Sequence, residues 1–111
     1  MTSYIRCLRL AVLLGVCTAA AFAADGQALY RKNCKVCHDK GSASGVYSPL
    51  TLTQDQWKKF FTVKLVPSHQ TVVHPTANKK LMECLSPDEM KAIQNFCVDH
   101  AADSEQPATC G

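Results

Sequence analysis

The chain lacks several things that would settle its class at once. No apolar run is long enough to span a bilayer. The stretch at Leu8–Val16, broken once by Arg9, is well short of the roughly 20 residues that a crossing helix needs. Charge of one sign is lacking too. The formal net charge is +3, and two of those charges are Arg6 and Arg9 at the N-terminus. Nothing here argues for nucleic acid as a partner. Internal repeats and low-complexity tracts are absent, which excludes solenoids and linkers. Only one Cys-x-x-Cys occurs, and Cys84, Cys97 and Cys110 stand thirteen apart. Structural zinc takes four ligands, usually as two close pairs, so that pattern is not met.

The N-terminus has the look of a secretory signal. Arg6 and Arg9 form a basic start, Leu8–Val16 an apolar middle, and Ala21-Phe22-Ala23 a small-residue cleavage site. Cleavage after Ala23 is expected, which makes residues 1–23 the signal peptide and residues 24–111 the mature domain. An uncleaved anchor, or a lipoprotein cut before Cys17, is the weaker alternative. The net charge then falls to +1, because Arg6 and Arg9 leave. A chain of this length makes one domain, and a small one gains from a cofactor or a disulfide.

The richest stretch is Asn33-Cys34-Lys35-Val36-Cys37-His38-Asp39-Lys40. A redox dithiol of the thioredoxin kind needs a strand before it and a helix opening after it. Here a helix-like segment precedes Cys34. Covalent haem uses all three residues. Two thiols one helical turn apart add to the two vinyl groups of a porphyrin, and His38 offers Nε2 to iron. Cys-x-x-Cys-His is the haem c attachment pattern.

The flanks resemble class I cytochrome c. Gly26-Gln27-Ala28-Leu29-Tyr30 matches the Gly-x-x-x-aromatic of the family's N-terminal helix, and Gly41, Gly45 and Pro49-Leu50 match the loop after the attachment site. The resemblance implies an all-α fold of three to four helices around one covalently bound haem c. It implies that the Pro49 carbonyl accepts the His38 Nδ1–H and that Trp57 bonds a haem propionate, with plain packing as the other reading of Trp57. It also implies a C-terminal helix crossing the N-terminal one, Gly26 and Tyr30 against Phe96.

Three helices are readable from the residues. Asp25 to about Lys35 is the first. Thr53-Gln54-Asp55-Gln56 reads as a capping box that opens a second, through about Lys64, carrying Trp57, Phe60 and Phe61. Ser86-Pro87-Asp88-Glu89 opens a third, with Met90, Ile93, Phe96, Cys97 and His100 at helical spacing. His100 falls in the last turn, where a histidine interacts with the helix C-terminus. Val66 to Lys80 between them is expected to be loop.

What the family usually carries and this chain lacks is a methionine followed by proline in that loop. Thr71-Val72-Val73-His74-Pro75 stands in its place. His74 is therefore the leading candidate for the second axial ligand of iron. Met82, His69 and an open site are the alternatives. The Leu81, Cys84, Leu85 spacing is expected to turn Met82 outward. Two imidazoles would lower the potential relative to His/Met ligation.

Of the remaining cysteines, Cys97 and Cys110 are expected to pair, leaving Cys84 as a small buried apolar residue or a redox thiol. Lys32, Lys35, Lys40, Lys58, Lys59 and Lys64 are candidates for a basic docking rim, or are ordinary solvated lysines. The expectation is a non-enzymatic, monomeric, periplasmic one-electron carrier between larger redox proteins, with no stable membrane insertion. It is similar to the bis-histidine periplasmic shuttles of metal-oxidising bacteria. The alternatives are a haem sensor with an open sixth site, or the haem subunit of a dehydrogenase.

Overall fold

Three helix starts in this chain are set by side-chain caps, and the structure, a computed structural model, shows each of them. It describes residues 24–109, so the signal segment and Cys110 lie outside the described residues. Asp25 Oδ1 accepts from the Gln27 and Ala28 amides and opens α1, Gly26–Tyr30. Thr53 and Gln56 cap one another reciprocally at the start of α2, Gln54–Lys59. Ser86 and Glu89 do the same for α5, Pro87–Asp99, with Pro87 in the first turn, where no amide hydrogen is needed. Each such cap contributes about 1 kcal/mol. One further box, Ser48 with Thr51, opens a 3₁₀ turn at Pro49–Thr51.

The regular elements of the described residues are all helical, and one isolated bridge joins Val73 and Lys80. No described helix is long and apolar enough to cross a membrane. α1 and α2 both pack on α5, and Tyr30, Trp57, Leu81, Leu85, Ile93, Cys97 and Ala101 form the buried core. α1 crosses α5 at Gly26. A Cβ there would run into the Ala92 carbonyl and come within 3.0 Å of Phe96 Cβ. Tyr30 stacks on Phe96 with ring centroids 5.4 Å apart. The expected Gly26/Tyr30–Phe96 contact is present. Gly26→Ala should therefore destabilise the fold, although alanine is the better helix former by about 1 kcal/mol. Overpacking at a close crossing costs roughly 1–3 kcal/mol beyond that gain, which for a domain this size lowers the melting temperature by about 5–15 °C. Thermal circular dichroism measures it; an unchanged or raised melting temperature would refute the close crossing.

Three expectations need correction. The second helix does not end near Lys64. α2 passes into a π-helical turn, Phe60–Lys64, and then into α3, Leu65–His69. Pro67 is the third residue of α3, and the chain stays helical through it although proline brings no amide hydrogen to the preceding turn. The loop is thus shorter than Val66 to Lys80. Met82 does not swing outward: it is half-buried and packs against the core. α4, Leu81–Cys84, is a single turn, and Leu85 after it is extended, so helical spacing does not govern which way Met82 faces. Cys84 is not buried. It is half-exposed, with Sγ donating to the Lys80 carbonyl over 3.4 Å.

The tail folds back. His100 ends α5, its ring stacks on Phe96, and its Nδ1 donates to the Gln106 carbonyl over 2.8 Å. Asp103 Oδ1 accepts from the Gln54 amide, giving α2 a second cap. The expected partner of Cys97, Cys110, lies outside the described residues.

Candidate functional site

α1 runs into a second π-helical turn, Arg31–Lys35, which carries Cys34. The Cys34 carbonyl then accepts from the amides of both Cys37 (3.1 Å) and His38 (3.0 Å), closing a tight turn. Cys34, Cys37 and His38 all open on one largely apolar cavity of about 770 Å³. That volume lies in the upper part of the range for small-molecule and cofactor sites. Both cysteines carry free thiols. Burial pushes the Cys34 thiol up from 9.0 to about 12, with the neighbouring Cys37 adding to the rise. Burial also raises the Cys97 thiol in the same cavity wall, with Cys34 adding to it. This wall favours neutral sulfur.

Gly41 and Gly45 take positive φ, +84° and +87°, and turn the chain back beneath His38. The Tyr47 amide donates to the His38 carbonyl, and the Tyr47 ring meets the imidazole edge-on at 4.9 Å. Tyr30 Oη donates to the Tyr47 carbonyl over 2.7 Å, tying this loop to α1. His38 Nδ1 lies 3.1 Å from the Gly45 carbonyl oxygen. A carbonyl only accepts, so Nδ1 carries the hydrogen and Nε2 is left with its lone pair. This corrects the expected bond to Pro49. The tight turn brings the Gly45 carbonyl, seven residues on, to the ring, whereas the Pro49 carbonyl faces α2. There it accepts from Trp57 Nε1 over 2.8 Å. The same bond corrects the propionate role of Trp57: its one donor is already engaged in a buried contact. Trp57 is a wall of the cavity, not a polar contact in it.

The polar part of the lining comes from the α2–α3 segment instead. Lys59 and Lys64 both line the cavity, although five residues apart. The π-helical turn, with its i→i+5 bonding, is what puts them on one side. Gln56, one turn earlier, joins them. Lys58 faces elsewhere and pairs with Asp55 at 3.6 Å on the surface. Lys32, Lys35 and Lys40 do not line the cavity.

The three candidate second ligands are in very different states. His74 is almost fully buried, at 2 % exposure. The amides of Thr76 and Ala77 donate to its Nδ1, each over 3.2 Å, so Nδ1 is unprotonated. Its Nε2 carries the hydrogen and donates to the Lys32 carbonyl over 3.0 Å. Both ring nitrogens are therefore occupied by backbone. In this structure His74, the leading expected iron ligand, instead ties the 72–81 turn to the π-helical turn that bears Cys34. His69, at the end of α3, is the reverse case. Its Nδ1 lies 2.8 Å from the Leu65 carbonyl and 2.8 Å from Ser68 Oγ, which itself donates to the Lys64 carbonyl. The acceptor carbonyl again places the hydrogen on Nδ1. The His69 ring faces His38 with centroids 6.2 Å apart and planes at 73°. Met82 also lines the cavity.

Sequence reasoning did not pick out the Gly45 or Leu65 carbonyl as the partner of a histidine ring, nor Cys97 as part of the cavity wall. The glycine pair was a visible signal, whereas the Leu65 contact depends on a helix continuing through Pro67. Among the described residues no cluster of three or more His, Cys, Asp or Glu side chains is placed to hold a metal ion. No family model matches the chain, and neither a curated protein nor a solved structure is detectably similar to it.

Proposed function

We propose that this chain is an exported, periplasmic one-electron carrier built around a single haem c. One observation carries the reading. Two free thiols one turn apart and an imidazole with its Nε2 lone pair unprotonated all open on the same apolar cavity. A bare metal ion would want more ligating side chains than are gathered here. A metal that brings its own equatorial ligands needs only axial ones, and this cavity suits such a group.

The residues fit it as follows. Cys34 and Cys37 would hold the group as thioethers, each Sγ–H adding across a vinyl C=C to give one C–S and one C–H bond with no leaving group. The resulting thioethers are neutral sulfur, which the buried wall favours. His38 presents Nε2, with the Gly45 carbonyl fixing its tautomer and strengthening it as a donor. Gln56, Lys59 and Lys64 would take the propionates. Trp57, Ile93 and Leu85 exclude water and lower the local dielectric. Haem supplies the reversible uptake of one electron at iron; the chain sets potential, access and docking. The lysines outside the cavity, Lys32, Lys35 and Lys40, are left to form the docking rim for a redox partner.

The test is expression to the periplasm with a haem c maturation apparatus. The expected product is red, keeps its haem through acid–acetone extraction, and exchanges electrons with soluble redox proteins. A colourless product, or haem that extracts, would refute covalent attachment. A ferrous form that is high-spin and binds carbon monoxide would favour a sensor instead.

A further inference from the structure

We infer that His69 is the second axial ligand and that the site is a bis-imidazole one, assembled by the end of α3. The assignment rests on the haem reading above and adds to it the residue on the far side of iron.

Four observations converge. First, His38 and His69 are prepared alike. Each donates its Nδ1–H to a backbone carbonyl, Gly45 for one and Leu65 for the other, and each keeps an Nε2 lone pair. This is the arrangement that orients metal-bound imidazoles. Second, their spacing suits a shared metal. Metal–imidazole bonds run about 2.0–2.1 Å, and each ring nitrogen lies roughly 1.1 Å from its own centroid, so a linear pair needs centroids about 6.3 Å apart. They stand 6.2 Å apart. Third, both rings line the same cavity as the two attachment thiols. Fourth, the competitor His74 has neither nitrogen free, as shown above.

The fold explains why His69 reaches this place. The π-helical turn at Phe60–Lys64 realigns the helix so that Leu65, Ser68 and His69 follow Phe60, Phe61 and Lys64 along the cavity wall. Phe60 then meets the His69 ring edge-on at 6.3 Å, opposite in role to Tyr47 against His38. Ser68 steadies the ring from the adjacent position, its own hydrogen donated back to the Lys64 carbonyl. Met82 has the right chemistry and lines the cavity, but no hydrogen bond can orient a thioether as these carbonyls orient the imidazoles.

The experiment uses the haem-loaded protein and compares wild type with His69→Ala, His69→Met and Met82→Leu. Ferric wild type should be low-spin, with no sulfur-to-iron charge-transfer band. Met82→Leu should leave that spectrum unchanged. His69→Ala should turn the ferric haem high-spin and let the ferrous form bind carbon monoxide. Should His69→Ala fold poorly, His69→Met serves: a low-spin haem with a new sulfur band and a raised potential is the expected result. A low-spin spectrum unaltered in both His69 variants overturns the assignment, as does a sulfur band in the wild type. Haem content by extraction is measured alongside, so that failure of covalent attachment is told apart from failure of the ligand assignment.

Discussion

Cys34→Ser/Cys37→Ser is expected to lose its tertiary fold along with the proposed haem. The reason is the size of the cavity against the size of the domain. Enclosed apolar cavities destabilise by about 24 cal/mol per Å³, so even a quarter of this solvent-open cavity of about 770 Å³, left dry, would cost on the order of 5 kcal/mol. A small domain holds only about 5–10 kcal/mol in total. Water entering at the mouth reduces that cost, but the walls built by Trp57, Phe60, Leu85 and Ile93 are not a surface water wets gladly. A chain without a filler therefore collapses. The double variant should keep part of its far-ultraviolet helix signal, because the caps at Asp25, Thr53 and Ser86 are local. It should lose its near-ultraviolet signal, bind a hydrophobic dye and melt without a sharp transition, the signature of collapse without fixed packing. A cooperative melt within a few degrees of the wild type would show that the core stands without the cofactor.

The same division into local and non-local explains what could be read from the sequence. The Thr53 and Ser86 caps and the start of the long α5 are set by residues within four positions of each other, and each came out as expected; the cap at Asp25 is equally local. The Gly26 crossing was legible because a glycine inside a helix is costly unless a neighbour needs the space. The failures share another character. Nothing in Phe60-Phe61-Thr62-Val63-Lys64 announces a π-helical turn, since any side chain tolerates it and only the packing around it decides. The loop was expected to begin at Val66, yet the chain stays helical from the π-helical turn through Pro67 to His69. His74-Pro75 looked like a ligand motif because the two residues are adjacent in sequence. What settles its role is a carbonyl forty-two residues away, on Lys32. Which carbonyl fixes His38, Gly45 or Pro49, turned on how tightly the glycine loop closes. The residues of the site were all visible; their tautomers and partners were not.

His74 then carries the second large effect. His74→Ala should destabilise the haem-loaded protein severely while leaving its visible spectrum close to wild type. The side chain is buried and satisfies three backbone groups at once: the Lys32 carbonyl and the amides of Thr76 and Ala77. Removing it leaves all three without a partner, and each orphaned buried group costs about 1–3 kcal/mol. Water can reach some of them once the ring is gone, so a total of about 3–5 kcal/mol is expected, near the upper end for a single substitution. At roughly 4–8 °C per kcal/mol the melting temperature falls by at least about 12 °C. The loss is concentrated where the 72–81 turn is laced to the segment bearing Cys34, so proteolysis should begin in that turn. Two measurements on one sample separate the roles of this imidazole. A large fall in melting temperature with an unchanged low-spin spectrum fits a structural tie. A high-spin haem with a nearly unchanged melting temperature would mean that iron, and not the Lys32 carbonyl, is what His74 holds.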